Sequence, residues 1–129
     1  MSVDLGMPVL VVDDSRATGR VMHKLLMLMG FRRVEAALDG ESALRMLRAR
    51  EYGLIISDWN MQPMTGQMFL ESVRADPRLA NIPFILVTAE PQRATILAAR
   101  DAGANGCLVK PFTGEMLRHK IDAVLACVA

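Results

Sequence analysis

The chain has 129 residues, 52% of them hydrophobic, which suits one compact domain with a substantial apolar core. Its formal net charge of +1 argues against a dedicated nucleic-acid or membrane surface. Two cysteines, Cys107 and Cys127, make neither a disulfide framework nor a metal-ligand spacing, and no segment approaches the ~18–20 apolar residues of a membrane span, so a reducing cytoplasm is the expected compartment.

Short apolar runs alternate with longer amphipathic stretches five times. Pro8 to Val12 predicts a buried strand, too continuously apolar to face water on one side. Asp13, Asp14 and Ser15 punctuate it, and Ser15 or Asp14 could cap a helix running to about Met29, closed by Gly30. Arg33 to Ala37 predicts a second strand, and Asp39-Gly40 leads into a helix through about Arg50. Leu54 to Ser57 is a third strand that ends at Asp58. A loop from Trp59 to Met64 precedes a helix from about Thr65 to Ala75. Ile82-Pro83 introduces a strand from Phe84 to Thr88, followed by a helix from Gln92 to Ala102. Gly106 to Val109 is the last strand, stopped near Pro111, and Thr113 to Cys127 the last helix.

This unbroken (βα)5 pass, without linker or repeat, predicts one α/β domain over 1–129: a doubly wound parallel sheet with helices on both faces. In such sheets function lies beyond the carboxyl ends of the strands. There strand 1 delivers Asp13 and Asp14, strand 3 Asp58, strand 4 Thr88 and strand 5 Lys110. Strand 2 supplies nothing reactive, which suits an edge position. Three crowded carboxylates repel unless a cation intervenes. Oxygen ligands without paired His or Cys favour a hard ion such as Mg²⁺, which accepts one or two carboxylates and a phosphate oxygen. Aspartate is itself an accepted nucleophile for phosphoryl transfer. Lys110 can neutralise phosphoryl oxygens by roughly 4 kcal/mol at 4 Å and an effective dielectric of 20. The Thr88 hydroxyl can donate a hydrogen bond worth about 1.5–3 kcal/mol to the same charged group.

The segments VLVVDDS (9–15), ISDWNMQPMTG (56–66), VTAE (87–90) and AGANGCLVKPFT (102–113) carry these residues. In order and spacing they resemble the response-regulator receiver domains of two-component signalling, most closely the single-domain chemotaxis type. The resemblance spans essentially the whole chain. It implies a flavodoxin-like sheet in the order 2-1-3-4-5, of which the chemotaxis receiver is the type example. It further implies that Asp58 is the phosphoacceptor, that Asp14 binds Mg²⁺ directly, and that Asp13 acts largely through a coordinated water. The main-chain carbonyl of Asn60 becomes the third protein ligand. Lys110 pairs with Asp58 before phosphorylation and with the phosphoryl oxygens after it, and Thr88 moves to bond the phosphoryl group. Lys110-Pro111 is then a cis peptide. Ala89, Glu90 and Cys107 occupy modulating positions, Glu90 and Asn60 flanking the path of attacking water. The implied partners are a histidine kinase or histidine phosphotransfer protein and a downstream target, with no nucleic acid.

Single residues also have plainer readings. A lone strand-end Asp is ordinarily a cap or turn residue, Thr88 a β-branched strand residue and Lys110 a solvated charge; their company at one edge raises them. His23 and His119 read as surface residues, and the ten methionines as gap fillers. Trp59 reads as a shield at the rim of the site. Cys107 stands where the family often has an aromatic, and reads as a small buried core residue ahead of a redox sensor. The proline and Asp-Gly that the family carries after the acceptor are shifted or replaced here, by Pro63 and Thr65-Gly66, and Thr65 can still cap the next helix.

Because Thr88 heads the loop into helix 4 and Lys110 ends strand 5, helix 4, strand 5 and helix 5 are the expected output face. Arg93, Arg100, Arg118 and Lys120 are its basic candidates, suited to an acidic partner helix or an anionic ligand. Two other functions compete. An aspartate-nucleophile phosphatase would need an Asp-x-Asp after strand 1, where this chain has adjacent Asp13-Asp14. A receiver that binds constitutively would follow if Cys107 has removed the switch.

Overall fold

The computed structural model describes residues 4–90 and 92–128. Five strands alternate with five helices: β1 (Val9–Val12), α1 (Arg16–Leu28), β2 (Val34–Ala37), α2 (Gly40–Ala49), β3 (Leu54–Asp58), α3 (Gly66–Ala75), β4 (Phe84–Thr88), α4 (Arg93–Asp101), β5 (Gly106–Val109) and α5 (Gly114–Val128). Pro8 lies just outside β1, since a proline has no N–H to give a strand ladder. All pairings are parallel, in the order β2-β1-β3-β4-β5. The doubly wound, flavodoxin-like sheet is the one the sequence implies.

Alternation along each inner strand builds two cores. Leu10, Val12, Ile55 and Phe84 face α2 and α3, where Leu44, Leu47, Phe69, Leu70 and Val73 pack. Val9, Val11, Leu54, Ile56, Ile85 and Val87 face the other way, onto Met22 and Leu26 of α1 and Leu117, Ile121 and Val124 of α5. Every residue of β1, β3 and β4 is buried, because helices cover both faces. The edge strands β2 and β5 are only partly covered. Cys107, on β5, is therefore half-buried rather than a core residue, a correction to the sequence reading. Among the methionines, Met22 and Met61 do fill core, whereas Met27, Met68 and Met116 are exposed.

Local chemistry sets the helix starts. Ser15, rather than Asp14, caps α1, its hydroxyl accepting the Thr18 N–H at 3.2 Å. Asp39 accepts from Ser42 at 2.7 Å, which lowers the pKa of its carboxyl, and Thr65 accepts from Met68 at 3.1 Å. Thr113 accepts from Met116 at 3.1 Å at the start of α5. The cap residue of α4, Gln92, makes no such bond. Gly30 takes φ 103° after α1, a conformation that side-chain-bearing residues rarely adopt.

One polar tie was not foreseen. Arg74, at the end of α3, donates to Gly103 O at 3.0 Å, Ile82 O at 2.8 Å and Asn105 Oδ1 at 3.0 Å. Asn105 Oδ1 also accepts the Phe84 N–H at 2.8 Å. A single guanidinium thus joins α3, the entry to β4 and the α4–β5 turn, because its fork of donors satisfies carbonyls that a loop would otherwise leave unpaired.

Candidate functional site

Strand register decides what meets at the carboxyl edge. Val12 lies beside Ser57, Asp58 beside Val87, and Thr88 beside Val109. Asp13 and Asp58 therefore leave the sheet at one level, Thr88 one residue farther out and Lys110 two. The long Lys110 side chain reaches back over that stagger. Its Nζ stands 3.6 Å from Asp13 Oδ2 and 3.7 Å from Asp58 Oδ1. The sequence reading paired Lys110 with Asp58 alone; the ammonium in fact bridges two carboxylates.

Carboxylate oxygens of Asp13, Asp14 and Asp58 all lie within 4.8 Å of one another. Asp13 and Asp58 are only 6% and 8% exposed, whereas Asp14 faces solvent. Asp13 Oδ1 is held by the Ser15 N–H at 2.9 Å, so the helix start also orients an acid. Burial pushes the Asp58 carboxyl above its usual range and the Asp13 charge adds to that. Lys110 and the N–H groups of Asn60 and Trp59 oppose it.

The donor set fits a hard divalent cation. It is all oxygen, and three negative charges against one ammonium leave two to be neutralised. Exposed Asn60 lines the cleft beside Asp14, within reach of the same corner.

The loop after Asp58 is tightly seated. The Gly66 N–H donates to Trp59 O at 2.9 Å, and the Trp59 N–H to Val87 O at 3.0 Å. A Cβ on Gly66 would stand 2.6 Å from Asp58 O and from Trp59 Cα, and 2.8 Å from Trp59 O. Gly66 is thus what lets α3 begin against the backbone of Asp58. The sequence expectation that Thr65 caps the next helix holds, but it gives Gly66 no role of its own. Its signal was a glycine at a capped helix start, but the contact that requires it is tertiary. Trp59 is half-buried and packs against the α2–α3 core, as does Met64, and so lies at the rim of the site as expected.

Thr88 is wholly buried, and its hydroxyl is engaged locally, donating to Glu90 O at 3.3 Å and accepting the Glu90 N–H at 3.1 Å. Ala89 and Glu90 are exposed beyond it. Lys110-Pro111 is cis, as the resemblance implied, and Gln62-Pro63 is also cis, which was not anticipated.

Cys107 and Lys120 share a groove between β5 and α5 with Val109, Glu115, Met116 and His119. Burial raises the pKa of the Cys107 thiol, and Lys120 partly offsets this. The four basic candidates do not form one patch. Arg93 is exposed at the start of α4, and Arg100 approaches Asp101 at 3.8 Å. Arg118 lines a recess with Leu5, Met29 and Phe31 on the opposite side of α5 from that groove. Residues two apart on a helix point roughly 200° apart, so Arg118 and Lys120 cannot share a face. His119, read as an ordinary surface residue and indeed exposed, is the neighbour that joins Lys120 in the groove.

Comparison with known proteins agrees with this geometry. A family described as response regulator receiver domain matches residues 9–122. Chemotaxis protein CheY of Pseudomonas aeruginosa is 43% identical over 118 residues, covering 92% of this chain and 95% of that protein. CheY-3 of Vibrio cholerae is 40% identical, covering 92% and 91%. The structure of CheY4 of Vibrio cholerae superposes with a TM-score of 0.87 at 34% identity, covering 92% of this chain and 98% of that one. The receiver domain of a sensor histidine kinase of Pseudomonas aeruginosa was solved with a magnesium ion coordinated in its active-site cleft. It superposes with a TM-score of 0.83 at 25% identity, covering 95% and 98%.

Proposed function

Because this chain belongs to the response-regulator receiver family of two-component signalling, we propose that it takes a phosphoryl group onto Asp58 and signals by a change of shape. The observation that carries the reading is Asp58 itself: a buried carboxylate flanked by two further acids and approached by one ammonium. On this reading residues 1–129 are one phosphoacceptor domain; 1–3, 91 and 129 lie outside the described residues. The domain acts as a signalling module of the cytoplasm rather than as an enzyme on a separate substrate. Among the described residues, no helix is long and apolar enough to cross a membrane.

The donor is a phosphohistidine of a histidine kinase or phosphotransfer protein. An Asp58 carboxylate oxygen attacks phosphorus, the P–N bond breaks, and its electron pair stays on the imidazole, which then takes a proton. Asp13, Asp14, Asp58 and the Asn60 carbonyl would hold Mg²⁺, which supplies charge neutralisation for the incoming phosphoryl oxygens. Lys110 already stands between Asp13 and Asp58 and neutralises further charge on the transferred group. Trp59 limits water at one rim, while Asn60 and Glu90 flank the approach of the water that later hydrolyses the acyl phosphate.

Phosphoryl oxygens offer the Thr88 hydroxyl a charged acceptor better than the Glu90 carbonyl it now uses. Turning toward it releases the Glu90 backbone and moves the start of α4. The signal leaves through α4, β5 and α5 to a target protein, with Arg93, Arg100 and Lys120 on that side and Arg118 excluded by its position. Cys107 cannot reproduce the volume change of an aromatic, so the shift is small and centred on residues 88–92. Differential affinity limits what a partner can read, to about 5–150-fold for 1–3 kcal/mol of coupling.

Incubation with acetyl phosphate and Mg²⁺ tests this. Intact protein should gain one acid-stable, base-labile phosphoryl group, Asp58→Ala none, and Asp14→Ala less. Undiminished labelling of Asp58→Ala would overturn the reading.

A further inference from the structure

Between α1 and the edge strand β2 runs a groove of about 400 Å³, apart from the acid cluster except at its upper end. Its floor is made by Val11 and by two positions with little or no side chain, Gly19 and Ala36. Along its wall stand Arg16, Arg20 and His23, one helical face at spacings of four and three. Among the described residues, neither guanidinium has a carboxylate within 4.0 Å. The single acid at the upper end, Asp13, is already approached by Lys110 at 3.6 Å. The groove therefore joins a small apolar floor to two unpaired planar cations.

Gly19 is the second observation. Glycine in a helix interior is among the least favourable choices, and its structural uses are a positive φ or a close approach. Gly19 has neither: it lies within α1, its φ is not positive, and a Cβ there would meet nothing within 4 Å. Neither a close approach nor a backbone conformation therefore calls for a glycine at this position. A larger side chain here would enter the groove.

We infer that the α1–β2 groove binds an organic phosphate monoester with a flat apolar body, of the nucleoside monophosphate kind. Two guanidiniums one helical turn apart match phosphate oxygens with their forks of donors, and the bare floor accepts a planar ring. The volume falls within the range of small-molecule sites. Occupancy does not require Asp58 to be phosphorylated, so the inference stands apart from the function proposed above.

Adenosine 5′-monophosphate is the probe, titrated in EDTA so that no divalent cation can draw the phosphate to the acid cluster. Amide shifts of Gly19, His23 and Ala36 should saturate, while adenosine and inorganic phosphate each bind about tenfold more weakly or worse. Gly19→Leu should melt cooperatively at or above the wild-type temperature yet bind about tenfold more weakly or worse, and Arg20→Gln should weaken binding similarly. Absence of saturable shifts in wild type, equal response to adenosine, or undiminished binding by folded Gly19→Leu would each overturn the inference.

Discussion

The two loops that flank Asp58 are built differently. After β3, the chain is locked: Thr65 caps α3, Gly66 seats against the backbone of Asp58 and Trp59, and Trp59 is tied to Val87. After β4, among the described residues, the side-chain tie is the Thr88 hydroxyl, which bonds only the backbone of Glu90; α4 begins without a side-chain cap, and Ala99 is the buried residue of that helix. Backbone bonds from Lys110 N–H to Thr88 O and from Gln92 N–H to Glu90 O, each 2.8 Å, complete the loop. On the function proposed above, the first loop keeps the nucleophile in place. The second can change partners at the cost of two local hydrogen bonds, each worth about 0.5–1.5 kcal/mol net. A switch needs one of each, a fixed acceptor and a responder near balance.

The largest expected effect comes from loosening the locked side. Gly66→Ala puts a methyl into backbone atoms 2.6 Å away, so stability should fall by about 1–3 kcal/mol or more in denaturant unfolding, and acetyl phosphate labelling should slow. Labelling and stability equal to wild type would show that the seat is not rigid. Lys110→Ala comes next. It should still bind Mg²⁺, since Lys is not a ligand, but phosphorylation should change amide exchange in α4 far less than in wild type.

Burial also makes Asp58 a measurable burden in the metal-free protein. Its folded pKa is raised, so as pH rises the unfolded chain ionises first, near pH 4, and the fold loses stability through that window and up to the folded value. In EDTA, Asp58→Asn should therefore be the more stable protein at pH 7, with the difference closing below about pH 4. A constant difference across that range would contradict a raised pKa. The smallest pair compares the two helix starts directly. Thr65→Ala should remove about 1 kcal/mol with its cap, whereas Gln92→Asp should add up to about that amount and shrink the response of α4.

Much of this was legible in the sequence, and for physical reasons. Buried parallel strands read as apolar runs, and each of the four motifs sits where a strand ends, so the sequence alone puts Asp13, Asp14, Asp58, Thr88 and Lys110 at one edge. What stayed hidden depends on register and on helix phase. The reach of Lys110 to Asp13 follows from the stagger between strands. The need for Gly66 follows from how α3 sits on the loop before it. Arg74 looked like any charged residue at a helix end, although it ties three segments together. Arg118 and Lys120 group together as basic residues of the last helix, but two positions apart on a helix they face different ways. Cys107 reads as core because a free cysteine behaves as a small hydrophobe, but an edge strand leaves it half-covered.

The contrast between a fixed acceptor and a movable responder is tested most directly by amide NMR shifts of the protein with Mg²⁺, before and after beryllofluoride, a stable stand-in for the phosphoryl group. Outside the acceptor's immediate surroundings, the largest changes should fall on residues 88–92, the start of α4 and β5, with α2 and α3 little affected. Changes confined to α2 and α3, with α4 and β5 silent, would contradict the account.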